Sequence, residues 1–376
     1  MPSATVHPLR ELPRVGADTG ADMADSVKQY VDNTILSCVN TCDLKAGLRH
    51  VLSLTTTDER LELSAGSAVH EALAVWHRGE GSTNALIRFD AEYKEVGSKV
   101  SSEERLSFSN VRRCLVRMFT HFQNNALPYT VQKDLVEVPF EAPLDEHGDV
   151  MVVGRIDQVV AYQGRLVIGE NKTTGSLSGY WKDKWPMSSQ LSTYVYGGQH
   201  GLVDGKPLGL PVEEALVFGL ELRKVPTSEA TCREHKLKYR ECGDLHVKWE
   251  FSGPHPRPTG FLERWKRDAL SAAKRFQWMK ENVFTVQDAA NKLEQQGQFN
   301  GSCVWCEFKD YCRQGVPAAM MEANLIKSPW DPRHRDHATP LIQVEKPNLL
   351  PPASAPAREG VLVGSAPMPS NARRLL

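Results

Sequence analysis

The chain has 376 residues, 41% of them hydrophobic and 24% charged, which is ordinary for a soluble globular protein. Its net charge of −1 excludes a uniformly basic coat for nucleic acid, although it is compatible with a local basic groove. No apolar run approaches the roughly 18 residues that span a bilayer, and the amino-terminal segment lacks the apolar core of a signal peptide. We therefore expect a cytoplasmic protein with no membrane association, whose eight cysteines are metal ligands or free thiols rather than a disulfide framework.

Three regions follow one another along the chain. Residues 1–27 have no sustained periodicity and are predicted to be a mobile segment. Residues 28–327 carry helix and strand patterns and are predicted to form one domain. Residues 328–376 are rich in proline, which predicts a disordered tail or a partner-binding segment.

Helical patterns dominate the first part of the domain, and strand patterns dominate the middle. The Ala-rich stretch SAGSAVHEALAVWHRG predicts a helix that ends at Gly79, and Ser101 with Glu104 predicts a capping box before the next helix. Strands are predicted at DLVEVPF, EEALVFGLEL and LHVKWEF, a short helix at SSQLSTYVYG, and a longer helix over residues 259–280. Helices packed around a central mixed sheet predict an α/β or α+β fold.

The stretch GRIDQVVAYQGRLVIGENKTT, residues 154–174, predicts a hairpin with Gln163-Gly164 at its turn. Because side chains alternate along a strand, the resulting register places three pairs on one face: Val159 with Ile168, Asp157 with Glu170, and Arg155 with Lys172. Two opposed carboxylates need a proton or a cation between them, and Mg²⁺ or Mn²⁺ suits such oxygen ligands. The alternative is a neutralised quartet of charges at the solvent-exposed end of the hairpin.

A loop rich in aromatic residues and lysine, GYWKDKWP, lies directly before the short helix. Aromatic rings interleaved with lysines suit the stacking of unpaired bases beside phosphate contacts. A hydrophobic flap that covers the site is the competing interpretation.

Three cysteines lie close together in CVWCEFKDYC, at Cys303, Cys306 and Cys312. A CxxC pair lets two thiolates converge on one metal, and a nearby third cysteine adds a ligand. The segment SCVNTCDLK offers Cys38 and Cys42 as the fourth ligand. Such a set binds either zinc or an iron–sulfur cluster, and three unrelated cysteines are the alternative. The remaining cysteines have no such neighbours and are interpreted as structural: Cys114, Cys232 and Cys242.

Six short motifs, in this order, resemble the PD-(D/E)XK nuclease superfamily over about residues 34–314. Within it they most resemble the branch with an iron–sulfur cluster, which includes CRISPR adaptation exonucleases and the nuclease domains of RecB- and AddB-type helicase–nucleases. TILSCVNTCDLK is similar to the opening segment, in which a cysteine precedes Pro-x-Lys or Pro-x-Arg, although Asp43 stands where proline is usual. The other five motifs are GSAVHEAL, GRIDQV, ENK, QLSTY and CVWCEFKDYC.

The resemblance implies a restriction-endonuclease-like α/β core and a role for each matching residue. Asp157 and Glu170 would hold Mg²⁺ or Mn²⁺, with His70 contributing a nitrogen ligand. Lys172 would position the attacking water or stabilise developing negative charge. Two residues one helical turn apart would hold the nucleic acid or brace the site, namely Gln190 and Tyr194. An iron–sulfur cluster, of the 4Fe–4S type with zinc as the alternative, would bind to four cysteines: Cys42, Cys303, Cys306 and Cys312.

Two functions compete for this set of residues. The first is a metal-dependent DNA nuclease that acts as an exonuclease or processes single-stranded ends, in recombination, repair or phage DNA metabolism. Because the sequence contains no Gly-x4-Gly-Lys-Ser/Thr phosphate loop, unwinding would require a partner such as a helicase or recombinase. The second is a non-catalytic nucleic-acid-binding scaffold of such a complex, which the intact Asp157, Glu170 and Lys172 argue against. A zinc-stapled protein of another kind is a third, weaker hypothesis.

Overall fold

Within the residues that the structure describes, eight strands form one mixed sheet and two short strands form a separate ladder. The protein is represented by a computed structural model that describes residues 28–56, 61–315 and 317–333. In chain order the strands are β1 (Gln29–Asp32), β2 (Leu54–Thr55), β3 (Thr130–Pro143), β4 (Val150–Tyr162), β5 (Arg165–Thr174), β6 (Leu202–Val203), β7 (Lys206–Pro207), β8 (Glu214–Glu221), β9 (Trp249–Pro256) and β10 (Ile326–Lys327).

The order of strands across the sheet is β7-β6-β3-β4-β5-β8-β9, and β1 joins it by pairing with β4. The pairs β1–β4 and β5–β8 are parallel. The other neighbours in the sheet are antiparallel. The short strands β2 and β10 pair antiparallel outside it. This central mixed sheet, with helices around it, confirms the predicted α/β class.

Thirteen helices are present in the described part of the chain. They are α1 (Asn33–Thr41), α2 (Asp43–Ala46), α3 (Leu61–His77), α4 (Ser82–Ser98), α5 (Phe108–Asn124), α6 (Gly179–Asp183), α7 (Ser189–His200), α8 (Tyr239–Cys242), α9 (Thr259–Asn282), α10 (Val286–Lys292), α11 (Gly297–Asn300), α12 (Lys309–Gln314) and α13 (Ala318–Asn324). A π-helical turn covers Gly47–Val51, and 3₁₀ turns cover Gly243–His246 and Ser302–Trp305.

Helices cover both faces of the sheet because its strands are apolar on both sides. On β8, Ala215 and Val217 pack into a core with α1, α7 and α9, whereas Phe218 and Leu220 pack into a second core with α3, α4 and α5. Side chains of successive strand residues point to opposite faces, so a strand buried on both sides needs apolar residues at nearly every position. The site described below therefore lies between two helical layers.

The predicted hairpin forms, with Gln163 and Gly164 at its turn. Both residues have positive φ, 49° and 79°, as the tight turns of hairpins require. Backbone pairs run from Tyr162–Arg165 to Gln158–Gly169 and include the predicted pair of Val159 with Ile168. Beyond Gln158–Gly169 the ladder ends, so the predicted pairs of Asp157 with Glu170 and of Arg155 with Lys172 do not form as backbone pairs.

The predicted capping box at Ser101 and Glu104 is wrong. These two residues lie in a turn, and α5 begins at Phe108 with Ser107 as its N-cap. The Ser107 side chain accepts a hydrogen bond from the Asn110 N–H, which satisfies one of the free donors at the start of the helix. The N-cap is therefore Ser107, the serine directly before the apolar residues at helical spacing.

The predicted mobile segment at residues 1–27 lies outside the described residues, as does most of the predicted tail. The first part of that tail, residues 328–333, is described. Its Trp330 packs against the core beside α1, and its indole Nε1 donates a hydrogen bond to Asp32 Oδ2 at 3.0 Å. Among the described helices, none is both long and apolar enough to cross a bilayer.

Candidate active site

The predicted acidic residues lie at a break in the pairing of β4. Along one edge β4 pairs with β3. Along the other it pairs with β5 from Gln158 onward and with β1 up to Val153. In the described sheet, residues 154–157 of β4 thus have no paired strand on that second edge. Side chains can enter such a break from β5 and from the covering helices.

Asp157 lies in this break and is held by two partners. Its Oδ2 accepts a hydrogen bond from the Asn171 N–H at 2.7 Å, so the carboxylate replaces the backbone carbonyl that a continued ladder would supply. His70, on α3, places Nδ1 3.5 Å from the same oxygen. Only 6% of Asp157 is exposed. Two fixed donors thus orient one oxygen of a buried carboxylate.

Asp157 and His70 shift each other's pKa. Burial alone would raise the pKa of Asp157, but His70, Lys172 and the Asn171 N–H hold it below its usual value. Burial alone would lower the pKa of His70, but the charge and hydrogen bond of Asp157 place it above its usual value. The pair is therefore an aspartate anion facing a histidine that readily takes a proton.

Glu170 and Lys172 form a second pair, two residues apart on β5. Glu170 is fully buried, and its Oε1 lies 2.5 Å from Lys172 Nζ. Its Oε2 has no hydrogen-bond partner among the described residues. Burial and the charge of Asp157 raise the pKa of Glu170 to about 7. Although burial opposes it, the charges of Glu170, Tyr194 and Asp157 raise the pKa of Lys172 above its usual value.

Gln190 and Tyr194 come together on α7, as their spacing of one turn predicts. Gln190 Nε2 donates a hydrogen bond to Tyr194 Oη at 3.0 Å. The Tyr194 ring packs beside Gly154, where an added Cβ would lie 3.3 Å from it. Tyr194 also acts electrostatically on Lys172. The pair thus lies at the Lys172 side of the break.

Glu137, which we did not predict, also lies at the site. One ligand atom from each of Glu137, His70 and Asp157 lies within 4.8 Å of the other two. Glu137 belongs to β3, and its φ is +56°. Its neighbours Val136 and Val138 pair with Gln158 and Ile156, so Glu137 stands opposite Asp157 on β4. Its Oε2 contacts Arg155 Nε at 2.6 Å, a contact that the alternative quartet of charges did not include.

Burial and the charge of Asp157 raise the pKa of Glu137 to about 7, although Arg155 lowers it. Three carboxyl groups and one imidazole thus share a buried region, and two of the carboxyls resist losing their protons. Carboxylate oxygens and an imidazole nitrogen are groups that could hold a divalent cation.

A family model described as the PD-(D/E)XK nuclease superfamily matches residues 33–313. The chain belongs to this superfamily. Its members are typically metal-dependent nucleases. A comparison with curated proteins finds no match. One solved structure, titled "Crystal structure of SSO0001", is 13% identical to the chain, with 76% of this chain and 96% of that chain covered and a TM-score of 0.26. The family assignment therefore rests on the family model.

In this PD-(D/E)XK protein, only part of the aromatic segment GYWKDKWP is accessible for stacking with bases. Trp181 and Trp185 are 2% and 4% exposed and pack into the core with α7 and α9. The stacking interpretation is therefore wrong for these two tryptophans. Tyr180 remains 80% exposed, so it is the aromatic residue of this loop that a nucleic acid can reach.

Two of the four cysteines of the predicted cluster, Cys42 and Cys303, lie beside Gly297. A Cβ on Gly297 would be 3.0 Å from Cys303 Sγ and 3.6 Å from Cys42 Cβ, so residues from opposite ends of the domain meet there. Burial raises the pKa values of Cys306 and Cys312, to about 11 for Cys312, and neighbouring thiols including those of Cys42 and Cys303 raise them further. The fold thus gathers the amino-terminal and carboxy-terminal cysteines in one region.

Proposed function

We propose that the protein is a divalent-metal-dependent deoxyribonuclease that acts on DNA ends, as an exonuclease or by processing single strands. The observation that carries the proposal is the pair of buried carboxylates at the break in β4. Asp157 is held as an anion, and the buried Glu170 has one oxygen without a partner in the described residues. An unpartnered buried carboxylate oxygen is costly unless a ligand completes it.

The residues present fit Mg²⁺ or Mn²⁺. Carboxylate oxygens and one imidazole nitrogen suit such cations, and the atoms of His70, Glu137 and Asp157 already lie within 4.8 Å of one another. Asp157, His70 and Glu137 would hold the ion, and Glu170, which is outside that converging group, would complete its ligands. A divalent cation bound there would neutralise charge on the scissile phosphate and lower the pKa of a bound water.

Lys172 acts as a cation rather than as a base in this proposal. Its raised pKa keeps the ammonium protonated at neutral pH, so it cannot accept a proton from water. It is instead a hydrogen-bond donor of fixed charge, which suits the negative charge that develops on a phosphate oxygen in phosphodiester hydrolysis. Glu170 orients it from 2.5 Å away.

Gln190 and Tyr194 position the Lys172 side of the site. Their mutual hydrogen bond fixes both side chains on α7, and Gln190 is half-buried whereas Tyr194 is buried. In this proposal Gln190 is the member of the pair that contacts the nucleic acid. The Tyr194 ring is packed against Gly154, and in this proposal it restricts the position of Lys172.

We further propose that Cys42, Cys303, Cys306 and Cys312 bind an iron–sulfur cluster. In the described part of the chain, these thiols are not among the groups whose ligand atoms converge within 4.8 Å. The resemblance to the iron–sulfur branch of the superfamily supports a 4Fe–4S cluster, with zinc as the alternative. The cluster would join the start and the end of the domain.

The proposed context is recombination, repair or phage DNA metabolism, with a helicase or recombinase as partner. This part of the proposal rests on the resemblance of the six motifs to the iron–sulfur branch of the superfamily.

The proposal is tested with linear and circular DNA, single- and double-stranded, incubated with Mg²⁺ or Mn²⁺ and with each end blocked in turn. Wild-type protein is expected to degrade linear DNA with a free end and to leave closed circles intact. Asp157→Asn, which keeps the size of the side chain but removes the charge, is expected to lose at least about 100-fold in rate.

Cleavage of closed circles at the same rate as linear DNA would contradict action on DNA ends but would agree with the proposed nuclease activity. Binding of DNA without cleavage under every metal condition would instead favour the non-catalytic scaffold. Cleavage by Asp157→Asn at the wild-type rate would contradict the proposed active site.

A further inference from the structure

The connection between β8 and β9, residues 222–248, is long and has little regular structure. It contains one turn of α-helix, α8, and the 3₁₀ turn Gly243–His246. Connections of this length within a compact domain usually need something to fix their conformation. Its first half folds back on itself, because Thr231 and Lys238 form an antiparallel bridge and the Cys232 N–H donates to Leu237 C=O at 2.7 Å.

Four side chains with metal-binding atoms converge within this connection: Cys232, His235, Cys242 and His246. Cys232 and His235 come from the folded-back turn, whereas Cys242 and His246 come from the helical turns after it. One ligand atom of each lies within 4.8 Å of those of the other three. Both sulfurs are buried, with 1% of Cys232 and none of Cys242 exposed.

The distances match those around a single tetrahedral metal ion. His246 Nε2 is 3.4 Å from Cys232 Sγ and 3.4 Å from Cys242 Sγ, and His235 Nδ1 is 3.6 Å from Cys232 Sγ. With zinc–sulfur bonds of about 2.3 Å and zinc–nitrogen bonds of about 2.0 Å, tetrahedral geometry places sulfur and nitrogen about 3.5 Å apart. We propose that these four residues bind one zinc ion that fixes the connection between β8 and β9.

The surroundings of the four side chains support this assignment. Cys232 Sγ accepts a hydrogen bond from the backbone N–H of His235 at 3.5 Å, a contact that stabilises a thiolate. Each imidazole turns one nitrogen toward sulfur and the other toward Glu234. His235 Nε2 and His246 Nδ1 each lie 3.9 Å from a Glu234 oxygen. Carboxylates outside a zinc site commonly orient ligand histidines through hydrogen bonds, and Glu234 is near enough to do so after a small movement of its exposed side chain.

The zinc site shares no residue with the candidate active site or with the four cysteines of the proposed cluster. It holds the connection against α5, where Arg113 Nε contacts Asp244 Oδ1 at 2.8 Å and Asn110 bonds to the backbone of Arg223 and Val225. Its role is structural, because four protein ligands fill a tetrahedral ion and leave no position for substrate. The inference does not depend on the proposed nuclease activity.

The test measures zinc in full-length protein by elemental analysis after dialysis, in an Asp157→Asn background that weakens binding at the other site. One zinc per chain is expected. Cys232→Ser and His246→Asn are expected to lose it. Cys114→Ala and Cys42→Ser are expected to keep it, because Cys114 is a buried cysteine outside the group and Cys42 belongs to the other set. His235→Cys is expected to keep it as well, because three thiolates and one imidazole also bind zinc.

Cobalt substitution gives a measurement that does not depend on whether the variants fold. Protein with the four ligands intact, loaded with Co²⁺ in place of zinc, is expected to develop the intense visible d–d bands of tetrahedral cobalt. Absence of both stoichiometric zinc and these bands would show that the four side chains form only a network of S–H and N–H hydrogen bonds. Zinc that is lost in Cys42→Ser but kept in Cys232→Ser would also overturn the proposal.

Discussion

At the scale of single residues, the ionisation of the acidic groups would decide when the proposed site takes up a cation. The pKa values of Glu170 and Glu137 are raised to about 7 by burial and by the charge of Asp157. Both groups are therefore mostly protonated at pH 6 and mostly ionised at pH 8. A cation must displace these protons, so its affinity falls as the pH falls through 7.

We expect Mn²⁺ to bind at least about tenfold more weakly at pH 6 than at pH 8, since one carboxyl with a pKa of 7 alone loses that factor. Isothermal titration calorimetry at the two pH values measures the difference, and buffers of different ionisation enthalpy report the protons released. Glu170→Gln should bind Mn²⁺ more weakly at pH 8 and with fewer protons released. Equal wild-type affinities at the two pH values would contradict the account.

Glu137 gives a second prediction at this scale. Glu137→Gln keeps the shape and an oxygen that can accept from Arg155, but it removes one negative charge from the group with His70 and Asp157. The affinity for Mn²⁺ at pH 8 is expected to fall by about tenfold, the usual effect of altering a group beside a metal. Glu141→Gln, a matched change further along β3, should leave it unaltered. If both variants bind Mn²⁺ like the wild type, Glu137 is not part of the metal site.

At the scale of elements, the hairpin could be predicted and the bulge could not. The turn at Gln163-Gly164 and the alternation around it fix the register of β4 and β5, because a slip of one residue would turn every apolar side chain to the other face. Glu137 stands opposite Asp157 because β3 has shifted its register against β4 between Val131 and Val136, and a bulge of this kind has no signal in the local sequence. The end of the ladder at Gln158–Gly169 likewise depends on β1, which is remote in sequence.

The connection between β8 and β9 illustrates a different limit. The spacing of the cysteines alone predicts a structural role for Cys232 and Cys242, because it does not include their histidine neighbours. The spacing Cys-x2-His-x6-Cys-x3-His in TCREHKLKYRECGDLH is the signal that points to a metal site. The structure adds that the folded-back turn and the helical turns after it bring these four side chains together.

Gly297 gives a prediction for the cysteine region. A Cβ at this position would lie 2.9 Å from Ser302 Oγ and 3.0 Å from Cys303 Sγ, so alanine must displace the Cys303 thiol. We expect Gly297→Ala to lose at least about half of the iron and sulfide bound by anaerobically purified wild type, read also from its visible absorbance. Gly260→Ala, where nothing lies within 4 Å of the added Cβ, is the control. Unchanged iron content in Gly297→Ala would contradict the proposal that Cys303 is a ligand of the cluster.

At the scale of the whole molecule, the site is assembled from segments that are far apart in the chain. His70 comes from α3, Glu137 from β3, Asp157 from β4, and Glu170 with Lys172 from β5. The order of the six motifs predicted four of these five residues, since the family resemblance carries a spatial arrangement that composition and periodicity do not. Distances and ionisation states required the fold, because the two helical layers decide which groups are buried.

The central claim is that the break in β4 is a nuclease active site in which Lys172 is a fixed cation. Its most direct test is the rate of cleavage of end-labelled DNA with Mn²⁺ by wild type, Lys172→Met and the exposed control Lys99→Ala, with circular dichroism to verify folding. The account predicts a loss of at least about 100-fold in folded Lys172→Met and a wild-type rate in Lys99→Ala. A wild-type rate in folded Lys172→Met would contradict it.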